Sequence, residues 1–329
     1  MRPPDPLLPV VVNRAQARRA GLTDRQITWR IEHGQWKVLH RNVFVTPVPG
    51  GAGLGADDGR LVAALASTRR EVVVGHAHAA RLWGLPCPLG GWGDPVLLTA
   101  DGPHRNRHGI RIVVTPLPEQ DVVRRRGALV TSPVRTVTDC LRVLPPVDAL
   151  AIADAAARSL VAGPLLVAAV DLLGGWPGIV QARQVVDLVD GRRESPFESW
   201  SAWAFATTGL VMPVWQVDVA DSAGFVGRAD AGWQEGVVGE ADGKAKYRLR
   251  AAERGGLDAE RLAQVLDAER RREQRMRRAG LTVVRWDADD VLNPAAAAAL
   301  TAYLRSELSL RTDRPCTATL TPHPFRHPG

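Results

Sequence analysis

The stretch from Val214 to Asp242, VWQVDVADSAGFVGRADAGWQEGVVGEAD, constrains the fold most. Apolar and polar residues alternate in three runs, Val214 to Ala220, Phe225 to Gly232 and Val237 to Asp242. That period of two predicts strands. The breaks, Asp221-Ser222-Ala223-Gly224 and Gln234-Glu235-Gly236, are glycine-containing turns. Turns this short join only antiparallel neighbours, so a three-stranded meander is expected. A helix precedes it: Ser195 caps, Pro196 occupies the first turn, Glu198 follows three residues after Ser195, and the helix runs to about Thr208. A long basic helix, Asp258 to Ala279, a strand, Leu281 to Trp286, and a closing helix, Pro294 to Leu308, follow. The expected order is αβββαβ plus that last helix.

The meander carries the chemistry. Side chains two apart share a strand face, so Glu240, Asp242 and, if the strand persists past Gly243, Lys244 lie together. Asp230 lies ten residues before Glu240 across a tight turn, within reach of the same face. Glu198 can point in from the helix. Carboxylates at close range repel and need a cation. Oxygen donors suit a hard divalent metal, Mg²⁺ best, with Mn²⁺ as the substitute; Asp230, Glu240 and Asp242 are the expected ligands. Such a metal activates water and stabilises charge on a phosphodiester. Lysine adds a compact positive charge. The chain holds three lysines, Lys37, Lys244 and Lys246, among 42 basic residues, and two of them stand beside this acidic pair. Glu198, Asp230, Glu240, Asp242 and Lys244 are the candidate catalytic residues.

The net charge of +7 points to a polyanionic partner. The first fifty residues hold eight basic side chains against three acidic ones, which is five of those seven charges. Asn13 followed by Gln16, and Thr23 followed by Gln26, predict two capped helices, the second from Asp24 to His33 and stopped by Gly34. WKVLHRNVFVTP then reads as a hairpin. Two short helices and a hairpin have the order of a winged helix-turn-helix. Arg25, Gln26, Thr28, Arg30 and Glu32 are expected to face DNA, with Ile27 and Ile31 inward and Lys37, His40 and Arg41 in the wing on phosphates.

Between these ends the chain reads as mixed α/β, with a Gly-rich connection over 51–60 and an alanine-rich helix from Ala149 to Leu160. His76 and His78 lack a third ligand nearby, and Asp139 is expected to pair with Arg135 on a helix. The three cysteines form no CxxC and fit a reducing cytoplasm. No apolar run reaches the roughly 20 residues of a membrane span, and neither a signal peptide nor a membrane partner is expected. The expected domains are 1–50, 51–190 and 191–310, with 311–329 a disordered Pro- and Thr-rich tail.

Three stretches carry resemblances to known families. AGLTDRQITWRIEHGQWKVLHRNVFV resembles the N-terminal winged-helix region of AbiEi-type antitoxins, common in actinobacterial proteins. GHAHAARLWGLP and VTSPVRTVTDCLR resemble that family's following segments. Residues 194–308 resemble the PD-(D/E)xK nucleases, closest to the very short patch repair endonuclease branch. That resemblance rests on Glu198, Asp230, Glu240, Asp242-Gly243 and RRAGLTVVRWDADDV. The resemblances imply an α/β multidomain protein: a DNA-binding head, a mixed middle and a restriction-endonuclease-like domain. They imply DNA and a cognate toxin as partners. The superfamily places lysine two residues after Glu240, where this chain has Asp242. Lys244 reaches back, or the site works without it, or the site is inactive. Three functions follow: a Mg²⁺-dependent endodeoxyribonuclease, a non-catalytic regulator or antitoxin of a type IV toxin-antitoxin system with a degenerate nuclease fold, or a nuclease acting on RNA, since the metal site does not read the sugar.

Overall fold

The computed structural model describes residues 11–40, 42–45, 59–68, 72–93, 95–102, 106, 109–126, 128–241, 259–311 and 316–325. Asp242, Lys244, Arg41 and most of the 51–60 connection lie outside them. The protein is mixed α/β, with three sheets among the described residues. It divides into two compact units between Cys140 and Leu141. None of the described helices is long and apolar enough to cross a membrane.

In the first unit, α1 (Arg14–Arg19) and α2 (Asp24–Glu32) each begin with a complete capping box, on Asn13/Gln16 and Thr23/Gln26. Strands β1 (Val11–Asn13), β2 (Lys37–His40) and β3 (Val43–Val45) form a sheet ordered β1-β3-β2. The hairpin was legible; its third strand was not. Ile27 is fully buried with Val12, Ala17, Trp36 and Phe44, and Ile31 packs against them. After α3 (Gly59–Ser67) come β4 (Val73–Val74), α4 (His76–Trp83), β5 (Val96–Ala100), β6 (Ile110–Val114), β7 (Val122–Arg125) and β8 (Ala128–Thr131), whose sheet order is β6-β5-β4-β8-β7. Helix α5 (Pro133–Val143) carries Arg135, whose buried guanidinium donates to Asp139 at 3.0 Å, Asp121 at 3.0 Å and the Pro116 carbonyl at 3.0 Å. The Arg135–Asp139 pair is structural, as expected.

The second unit opens with α6 (Pro146–Ser159), α7 (Gly163–Asp171) and α8 (Ile179–Val186). These helices share that unit with the residues beyond 190. Helix α6 packs against α9 (Pro196–Thr208), and Asp154 of α6 is bridged to Arg193 at 2.6 Å with both side chains buried. Then follow β9 (Val214–Asp221), β10 (Gly224–Trp233), β11 (Val237–Ala241), α10 (Ala259–Arg278), β12 (Thr282–Trp286), α11 (Ala288–Leu292), α12 (Pro294–Arg311) and β13 (Thr319–Pro322). The sheet order is β12-β11-β10-β9-β13, with β11 and β12 parallel and the rest antiparallel. Phe205 of α9 packs on Trp215, Trp233 and Trp286. Met276 of α10 packs with Val217, Val219, Val238 and Val283. Val283 and Trp286 are three apart, so the helices cover opposite faces of the sheet.

Within 311–329, expected to be disordered, the described residues 316–325 include a strand. Thr319 to Pro322 pair with Ala220 to Val217, and Thr317 N–H donates to the Ala279 carbonyl at 3.0 Å. A composition rich in Thr and Pro gives no local drive to order, but the open edge of β9 does. Pro322 lacks a donor and is tolerated because β13 is an edge strand.

Candidate functional site: a carboxylate row across the second-unit sheet

Register fixes the site. Ala231 pairs with Gly239, which sets Asp230 opposite Glu240. Glu240 pairs with Arg285 on β12. On the other side, Ala229 pairs with Val217 and Ala231 with Trp215, so Asp230 faces Gln216. One row therefore runs Arg285, Glu240, Asp230, Gln216. Directly opposed side chains stand about 4.5–5.5 Å apart at Cβ. Asp230 Oδ2 accepts from Ala241 N–H at 2.9 Å, which ties β10 to the end of β11.

Glu198 reaches the row from the first turn of α9. Its N–H donates to Ser195 Oγ at 3.3 Å, and Ser195 Oγ donates to its Oε1 at 2.8 Å. Oε2 accepts from Glu194 N–H at 3.1 Å and from Gln216 Nε2 at 2.7 Å. The side chain is 3% exposed. Burial, then repulsion from Asp230, pushes its carboxyl up to about 7 against these donors. Burial also pushes Glu240 up to about 7; Arg272 opposes the rise and Asp230 adds to it. Asp230 thus acts on both glutamates, and the three carboxylates form one electrostatic unit.

Two residues complete the site that the sequence pattern did not single out. Arg272 of α10 donates to Glu240 Oε1 at 2.8 Å, to Glu269 Oε1 at 2.6 Å and to the Arg228 carbonyl at 2.8 Å. Gly227 makes its position possible, since a Cβ there would stand 2.8 Å from Arg272 Cδ. Gln216, buried within β9, has φ 54°. A left-handed residue costs about 1–3 kcal/mol and persists only where its surroundings over-determine it. It breaks the alternation of β9: Trp215 packs on Phe205 of α9, while Val217, two residues on, joins the cluster around Met276. No local sequence signal marks a Gln for this conformation.

Does this donor set fit a hard divalent cation? Asp230 and Glu240 supply oxygen donors on adjacent strands, and the burial and Asp230 repulsion that push the Glu240 carboxyl up are what a cation relieves. They fit as two donors. Among the described residues, however, no three His, Cys, Asp or Glu side chains form a metal ligand set. Asp242, the third expected ligand, and Lys244 lie outside the described residues.

In the first unit the expected DNA face is corrected at one position. Arg25, Thr28 and Lys37 are exposed. Arg30 is buried: its Nη1 donates to the Gln26 carbonyl at 3.1 Å and its guanidinium lies 5.9 Å from the Trp36 ring centroid. Its aliphatic stem and planar head pack on an aromatic, which charge alone does not foretell. Gln26 is exposed, but its Oε1 accepts from Thr23 N–H in the cap. Arg14 and Arg18 both pair with Asp24.

No family profile matches the chain. It is similar to two proteins from two strains of Mycobacterium tuberculosis, the uncharacterized proteins MT2308 and Rv2248, each 35% identical over 113 residues. The match covers 34% of this chain and 42% of each relative, so the chain spans less than half the length of the relatives it matches. Among solved structures, the RV2827C protein from the same organism shares 18% identity. It is superposed over 63% of this chain and 79% of that one with a TM-score of 0.36, a likeness that decides nothing about topology.

Proposed function

We propose that this is a cytoplasmic DNA-binding protein whose second unit carries a Mg²⁺-dependent phosphodiesterase site of the PD-(D/E)xK type. The observation that supports it is the carboxylate row: Asp230 opposite Glu240, with Glu198 coupled to Asp230 from α9. Asp230 and Glu240 would hold the cation, with Asp242 as the third ligand. A bound Mg²⁺ supplies charge stabilisation at a phosphodiester and an acidified water. The chain's own residues do the rest. Glu198, held up near 7, is poised to exchange a proton near neutral pH. Arg272 supplies a fixed positive charge beside Glu240. Lys244 is assigned to the same centre. The helix pair and hairpin of the first unit are read as a winged helix that grips duplex through Arg25, Thr28 and Lys37, with Arg41 as a further phosphate contact.

One observation favours a second reading, a non-catalytic regulator or antitoxin with a cognate toxin. Arg272 already neutralises Glu240 at 2.8 Å, as a fold that has lost its cation would. Nicking of supercoiled plasmid in Mg²⁺ or Mn²⁺, with EDTA as control, separates the two. The nuclease reading expects nicking that is lost in Asp230→Ala and reduced in Lys244→Ala. Tight, salt-sensitive duplex binding with no cleavage on double- or single-stranded DNA would establish the regulator instead.

A further inference from the structure

Gln216 is the point where three parts of the second unit meet. Its side chain donates to Glu198 on α9 at 2.7 Å. Its position in β9 faces Asp230. Its carbonyl accepts from the N–H of His323 at 2.8 Å, just past β13. The backbone at Gln216 is left-handed, yet its carbonyl bond to His323 continues the register in which Pro322 pairs with Val217. The tail strand thus supplies the donor that this carbonyl, buried at the edge of β9, needs.

The tail is fixed on both sides of that donor. Thr317 N–H is bonded to the Ala279 carbonyl at the end of α10. Thr319 to Pro322 pair along β9. His323 Nδ1 lies 3.0 Å from both Asp218 carboxylate oxygens. Phe325 reaches Gly191, where a Cβ would stand 2.7 Å from its ring.

We propose that the C-terminal segment from Thr317 to Phe325 is a strap that holds Gln216 in its left-handed conformation, and that Gln216 is the positioning residue that aims the Glu198 carboxylate at Asp230. The carboxylate site is then incomplete without the tail. Any partner or proteolytic event that lifts β13 from β9 turns the Glu198 end of the site off. The inference rests on Glu198 belonging to the proposed site.

The test uses the full chain and no activity. The Gln216 side-chain amide is followed by ¹⁵N NMR hydrogen exchange, with exposed Gln274 as the internal reference. A side-chain amide donating to a buried carboxylate exchanges roughly tenfold to a hundredfold more slowly than a free one. That protection is expected in the wild type and is expected to vanish in Glu198→Ala. His323→Pro removes the tail's N–H donor together with the imidazole on Asp218, and the Gln216 amide is expected to lose most of its protection while the thermal transition of the unit persists. His323→Ala removes the imidazole alone and keeps the backbone donor, and protection is expected to stay. Protection that is absent in the wild type, or unchanged in a folded His323→Pro, overturns the strap. Should His323→Pro fail to fold, the Glu198→Ala comparison still decides whether Gln216 holds Glu198. Failure of plasmid nicking with these exchange results intact would remove the nuclease reading and leave the strap standing.

Discussion

Glu198→Gln tests the energetics of the site. In the folded chain the Glu198 carboxyl is raised from its ordinary 4.5 to about 7, chiefly by burial. The folded state therefore binds this proton more tightly than the unfolded state. Its contribution is fully present below 4.5 and is lost as pH rises through about 7. At 1.36 kcal/mol per unit, that loss is about 3 kcal/mol. The side chain is 3% exposed, so solvent screening takes little of it. Against a total stability of about 5–15 kcal/mol, this is a large share. Glutamine keeps the shape and one oxygen but cannot ionise. Its mismatch with one of the three donors costs the same at every pH and drops out of a comparison across pH. Urea unfolding of the second unit, wild type against Glu198→Gln, between about pH 4 and about pH 8 reads the difference. The gap is expected to move by about 3 kcal/mol toward the variant as pH rises. A gap that stays flat would falsify the buried, repelled carboxylate.

Arg193→Met strands Asp154 without its bridge, and unfolding should show a loss of about 3–5 kcal/mol; adding Asp154→Leu should recover part of it. Gly239→Ala forces a Cβ to within 2.3 Å of Trp286, and thermal unfolding should report a loss of about 1–3 kcal/mol with altered tryptophan fluorescence. Arg25→Ala should weaken duplex binding for all sequences and lower the salt slope by about one, with stability unchanged. Arg30→Ala should do the reverse, costing about 1–2 kcal/mol of stability through lost packing on Trp36.

The parts of this fold that were legible are those set by local chemistry. The Asn13/Gln16 and Thr23/Gln26 capping boxes, the Ser195 cap with Pro196, and the two turns of the meander all encode their conformation within a few residues. The opposition of Asp230 and Glu240 followed from turn length and the period of two. What stayed hidden depends on contacts distant in sequence. Strand β13 exists because β9 has a free edge more than ninety residues upstream. Gln216 is left-handed because Glu198, β10 and His323 constrain it together. Arg30 is buried because Trp36 lies where its guanidinium can stack. Helix α6 belongs to the compact unit from Leu141 to Gly329 because a buried ion pair, Asp154 with Arg193, ties it to the segment leading into α9, a contact that lies far off in sequence.

The most direct test of the central claim is Mn²⁺ binding by electron paramagnetic resonance, comparing wild type with Asp230→Asn and Glu269→Gln. Glu269 is also acidic and bonded to Arg272, but lies outside the proposed ligand pair. The expected result is one bound Mn²⁺ per chain, weakened roughly tenfold to a hundredfold in Asp230→Asn and retained in Glu269→Gln. No bound Mn²⁺ in the wild type, or equal binding in Asp230→Asn, would contradict a cation site at the carboxylate row.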